Sequence, residues 1–107
     1  MENRKVLVTF VTQRRDEDKV LDAAMKAGAP GLTSFYARGT GVRQKLGLLG
    51  LLIEAEKAVT MCVVEEDKSD ALVDAVLKAT GLDKAGRIFI YVMPVTRAVG
   101  FMPDLEK

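Results

Sequence analysis

The sequence contains no histidine, one cysteine (Cys62) and no asparagine beyond Asn3. Without imidazole, Ser-His-Asp and Cys-His catalysis are excluded, and zinc or copper sites of the usual kinds lose their donors. A hard cation held by carboxylates and a bound phosphate stays open. A lone cysteine forbids an internal disulfide. Cys62 lies in a strand-like run and reads as a small buried apolar side chain. Charge of one sign is also missing: 16 basic residues face 15 acidic ones, a net charge of +1. That balance gives no electrostatic case for nucleic acid or an acidic membrane surface, and no basic-aromatic RNA-binding motif occurs. Long hydrophobic runs are absent too. The longest, Leu46 to Ile53, falls far short of the ~20 residues that span a bilayer. The opening MENRKVLVTFVT has neither the apolar length nor the cleavage site of an export signal, so a cytoplasmic protein without membrane insertion is expected.

What is present fits one domain over 1–107 with a single core. Lys5 to Thr12 is rich in β-branched residues and reads as a strand. Asp16 to Ala27 reads as a helix with an apolar stripe of Val20, Leu21, Ala24 and Met25 and a stop at Gly28. Leu32 to Ala37 is a second strand. The second half repeats this order: a strand at Ala58 to Glu65, a helix from Lys68 to Ala79 with Asp67 as N-cap, and a strand at Arg87 to Met93 that Pro94 stops. Its stripe of Leu72, Val73, Val76 and Leu77 lies fifty-two positions after the first. The tail 95–107 follows.

The order β-α-β, loop, β-α-β predicts an α+β, ferredoxin-like βαββαβ sandwich: a four-stranded antiparallel sheet with two helices on one face. Val6, Val8 and Phe10 alternate with Leu7 and Val11, and Ile88, Ile90 and Val92 with Phe89, Tyr91 and Met93. Both sheet faces are therefore apolar while two helices cover one, which predicts self-association.

The segment Arg38 to Lys57 between the halves carries a glycine turn, a basic step Arg43-Gln44-Lys45, and the apolar run. A loop of this length in a small domain reads as a ligand- and partner-contacting element. Gly39 and Gly41 either let backbone N–H groups approach a phosphate or serve a turn that needs positive φ. Lys57, Lys84 and Arg87, and more weakly Arg38 and Arg43, are phosphate contacts or solvated surface charges. The leucines from Leu48 to Leu52, with Ile53, are a docking surface or pack on the protein's own assembly. Glu54 and Glu56 have no nucleophile or metal cluster beside them and read as a solvated pair rather than an acid/base pair.

Three places resemble the PII signal-transduction family: Gly39-Thr40-Gly41 after the second strand, Lys57 before a β-branched strand, and Thr80-Gly81 followed by Ala85-Gly86-Arg87-Ile88-Phe89 and Pro94-Val95. The resemblance covers Lys5 to about Phe101. It implies a homotrimer with an adenine nucleotide (ATP, ADP, AMP or a cyclic nucleotide) in each cleft between subunits. It also implies a loop, the T-loop, that signals to a transporter, enzyme or regulator of nitrogen or carbon metabolism, without catalysis. Carried onto this chain, the nucleotide contacts are Arg38, Gly39, Thr40, Gly41, Lys57, Thr80, Gly81, Lys84, Ala85, Gly86 and Arg87, with no metal. The loop is short and lacks the family's modified tyrosine. Lys84 and Ala85 stand where the family has glycine and aspartate, and Gly100 and Met102 where it has arginines. These departures point to a mono- or diphosphate or a cyclic nucleotide. The alternatives are a trimer resembling the CutA proteins and a small ferredoxin-fold enzyme. Missing metal ligands weigh against the first. Against the second, the only asparagine, Asn3, lies near the terminus.

Overall fold

A computed structural model describes residues 4–39 and 56–100. Four strands, β1 (Lys5–Gln13), β2 (Thr33–Arg38), β3 (Glu56–Glu65) and β4 (Ile88–Val95), form one antiparallel sheet in the order β2-β3-β1-β4. Helices α1 (Glu17–Lys26) and α2 (Glu66–Thr80) pack on one face. This is the expected ferredoxin-like α+β arrangement. Right-handed crossovers carry both helices to the same side, and β3 separates the parallel pair β1 and β2.

The core follows from the period of two along β1 and β3. Val6, Val8 and Phe10 pair in register with Val64, Cys62 and Thr60, and all six are buried beneath the helices. Val20 and Ala24 of α1, Leu72 and Val76 of α2, and Leu82 complete the cluster. Met25, expected on the α1 stripe, is 66% exposed, and Ala23 takes its place. The packed face of α1 is rotated toward its alanines, whose small side chains allow close approach to α2.

Most element ends shift by a residue from the sequence reading, and four differences have a structural reason. A short 3-10 turn, Arg14–Asp16, precedes α1, so Asp16 lies outside the helix. Helix α2 begins at Glu66, with Glu65 rather than Asp67 in the N-cap position. There the Glu66 N–H donates to the Arg4 carbonyl at 2.7 Å, so backbone replaces side-chain capping. Strand β3 begins at Glu56, which places Lys57 in a strand. Pro94 does not stop β4. The strand runs to Val95 because it is an edge strand, paired only with β1, and tolerates a residue without a donor.

The sheet's second face bears no helix among the described residues. It presents Leu7, Thr9 and Val11 of β1, flanked in register by Val63, Met61 and Val59 of β3 and by Met93, Tyr91 and Phe89 of β4. Phe89 is 64% exposed, Met93 49% and Phe35 48%. The Phe89 and Tyr91 rings lie 5.7 Å apart. At the centre, Thr9 is fully buried by its neighbours, and its hydroxyl has no hydrogen-bond partner.

Candidate functional site

The register decides where the predicted residues fall. Arg38 pairs with Glu56, Gln13 with Lys57, and Thr12 with Ile88. The end of β2, the start of β3, the end of β1 and the start of β4 therefore share one end of the sheet. Arg38, Gly39, Lys57 and the loop from Thr80 to Arg87 gather there, although they come from distant stretches of sequence. Gly39 lies over the Lys57 side chain: a Cβ added at Gly39 would sit 3.6 Å from Lys57 Cγ. Lys57 and the start of β4 are separated by β1, so roughly 10 Å parts them, two strand spacings. Thr40 and Gly41, together with Arg43, the apolar run and Glu54, lie outside the described residues.

The 80–87 loop is built by its own backbone. Gly81 ends α2 in the left-handed region at φ 65°, donating to the Leu77 carbonyl at 2.8 Å. Gly86, also at positive φ, donates to the Asp83 carbonyl at 3.0 Å, and Arg87 N–H donates to the Leu82 carbonyl at 2.9 Å. Leu82 is 1% exposed and plugs the loop into the core, while residues 83–86 remain exposed. Thr80 is committed to the helix end: its hydroxyl donates to the Val76 carbonyl and accepts from the Leu82 N–H. Lys84 and Ala85 are thus exposed at the tip of a rigid turn.

Arg87 is not a freely solvated charge. Its Nε and Nη2 donate to the two carboxylate oxygens of Asp16 at 3.2 and 3.4 Å. Lys19 Nζ adds a longer contact to Asp16 at 3.8 Å. A second network, also missed by sequence reasoning, borders β2. Arg14 pairs with Glu56 at 2.7 Å and lies over the Tyr36 ring at 4.3 Å. The Tyr36 and Ser34 hydroxyls both donate to Glu17. The hydrogen bond from Ser34, then that from Tyr36, pulls the Glu17 carboxyl below its usual range. Donation to Glu17 raises the Tyr36 phenol, and Glu56 raises the Arg14 guanidinium further still. The only advance signal for these pairs was charge complementarity, which in a sequence this rich in charges names no partner.

Among the described residues, no three of the cysteine, aspartate or glutamate side chains gather as a metal cluster, and no helix is long and apolar enough to cross a membrane. Cys62 is buried, and desolvation pushes its thiol up to about 11. At pH 8 on the order of a thousandth is thiolate, the reactive form. A disulfide reagent at pH 8 is therefore expected to react with the native chain far more slowly than with the urea-unfolded chain. Equal rates would place the thiol at the surface.

Comparison with known proteins bears on the fold and the family. None of the curated proteins matches the chain. A DUF3240 family protein from Shewanella baltica shares the fold with a TM-score of 0.70 at 14% identity, over 95% of this chain and all of the other. A Bacillus cereus protein related to NIF3 gives the same TM-score at 17% identity over 89% of this chain, which spans about a quarter (26%) of that protein. At these identities the likeness is one of fold. The family model described as Nitrogen regulatory protein P-II matches residues 5–101, which include every described strand and helix, and on that match the chain belongs to the P-II family.

Proposed function

We propose that this protein is a homotrimeric, non-catalytic regulator that binds an adenine nucleotide at the sheet end carrying Gly39, Lys57 and the 80–87 loop. It signals ligand occupancy to a partner protein through the segment between β2 and β3. Regulation rather than catalysis is the business of the family it belongs to. The observation that carries the nucleotide reading is the register. It brings Gly39, Lys57 and the 80–87 loop to one end, with cationic positions roughly 10 Å apart. A ligand bridging that gap needs a long axis, which a base, sugar and phosphate supply and a single ion does not.

The uncovered sheet face supports the trimer. A row of aromatic and aliphatic side chains across three strands is larger than a lone soluble domain ordinarily leaves in water, and a second copy offers the same apolar chemistry in return. In such an assembly the site lies beside a neighbouring subunit, which would close it.

Calorimetric titration with ATP, ADP, AMP and cyclic AMP tests the reading. Saturable binding of at least one of them, at one per subunit, is the expected result. Lys84→Ala should weaken it by about tenfold or more, the worth of a charge-assisted hydrogen bond of about 1.5 kcal/mol or above. Absence of heat with all four at millimolar concentration would remove the nucleotide from the reading.

A further inference from the structure

Arg87 and Asp16 are 71 residues apart in sequence, yet they form a two-point contact at the candidate site. The two side chains differ in exposure. Asp16 retains 2% of its side-chain surface, whereas Arg87 keeps 31% open. The carboxylate therefore grips the guanidinium from the protein side. A guanidinium carries five N–H donors in a fixed plane, and Asp16 takes up two. The Nη1 edge of Arg87 has no partner among the described residues.

We propose that Asp16 is a positioning and specificity-determining residue. It holds Arg87 as a pre-set fork for a ligand phosphate, and its charge restricts that phosphate to low charge, a monophosphate or phosphodiester in preference to a triphosphate. This rests on the nucleotide-site reading above and deepens it.

Two effects act together. A free arginine must give up rotamer freedom when it binds an anion. Arg87 has already given it up to Asp16, so a phosphate meeting the open edge pays less of that cost. The buried carboxylate also cancels most of the attraction that Arg87 would exert on a highly charged ligand. The same cancellation occurs nearby, where Glu56 matches Arg14. Lys57 and Lys84, by contrast, have no carboxylate partner among the described residues. With its charge matched by Asp16, Arg87 suits a phosphate of low charge and adds little toward neutralising a triphosphate.

The test uses the full chain, isotopically labelled, in buffer free of divalent cations. The Arg87 Nε–H resonance is followed by NMR while AMP, ATP, methyl phosphate and tripolyphosphate are added separately. AMP is expected to move the resonance and to bind at least tenfold more tightly than ATP. Asp16→Asn keeps the side-chain shape and removes the charge. It should shift the AMP-to-ATP affinity ratio toward ATP by tenfold or more, an effect that Arg87→Ala erases and Arg87→Lys does not restore. A purely structural Asp16 would lower the melting temperature and leave the ratio where it was, so an unchanged ratio overturns the proposal. Should Asp16→Asn fail to fold, the unaltered chain still decides. If a nucleotide binds and the Arg87 resonance stays put, the proposal falls while the nucleotide reading survives. If methyl phosphate moves Arg87 but no nucleotide binds, the fork stands and the adenine reading falls. If no probe moves it, the fork has no phosphate to hold and the proposal is wrong.

Discussion

Tyr91→Asp is expected to convert a trimer into single, folded chains. Tyr91 stands at the middle of the uncovered sheet face, opposite Thr9 and next to Phe89, and is 38% exposed in the isolated subunit. In the subunit alone an aspartate there would reach water, so the core on the other face is untouched. In an assembly that buries this face it would be an unpaired charge taken out of water, at a cost of several kcal/mol, very roughly, in each subunit. Light scattering should give three times the chain mass for the unaltered protein and the chain mass for the variant, with circular dichroism unchanged. A trimer that survives the substitution would mean that this face is not the one buried. A single-chain mass for the unaltered protein at micromolar concentration would end the trimer reading altogether.

Phe10→Ala should have the opposite signature, loss of the fold rather than of the assembly. Phe10 is fully buried, the largest such side chain among the described residues, on the inner strand β1 between Thr60 of β3 and Ile90 of β4. Truncating it leaves a cavity that α1 and α2 cannot fill without moving off the sheet. Such changes cost about 3–5 kcal/mol, a large share of the roughly 5–15 kcal/mol by which domains are stable. The urea midpoint, compared at equal protein concentration, should fall by roughly 2 M for a slope of about 1–3 kcal/mol per M. Phe89→Ala, one position out of register with the core, should leave that midpoint nearly unchanged in the dissociated Tyr91→Asp background. If the two phenylalanines proved equally costly there, the division of the sheet into a covered and an uncovered face would be mistaken.

The alternation that separates Phe10 from Val11 and Ile90 from Tyr91 was legible in the sequence, because a period of two acts through nearest neighbours. The helix ends at Gly28 and Gly81 were legible for the same reason: positive φ at each is a local demand that glycine meets. Met25 misled because its apolar character fits the stripe, and only the proximity of α2 selects Ala23 in its place. Pro94 misled because a missing donor matters in the middle of a sheet and not at its edge, and a strand's place in the sheet is a tertiary property. The site divides in the same way. Gly39, Lys57 and the 80–87 loop could be picked out by type and order. That they share one sheet end follows from strand register, and that Arg87 is held by Asp16 follows from packing across the whole chain. No local pattern encodes a partner 71 residues away.

The sealed position of Cys62 also makes the native protein behave, toward surface thiol reagents, as though it had no cysteine. A new cysteine at a place such as Met25, exposed on the outer side of α1, would therefore take a fluorophore or spin label at one site, with no need to delete the natural thiol and disturb the core it helps to fill. One label per subunit on a three-fold assembly would yield a single set of equal inter-label distances. Spectroscopy on such a sample would read the arrangement of the subunits directly, and its change on adding a nucleotide.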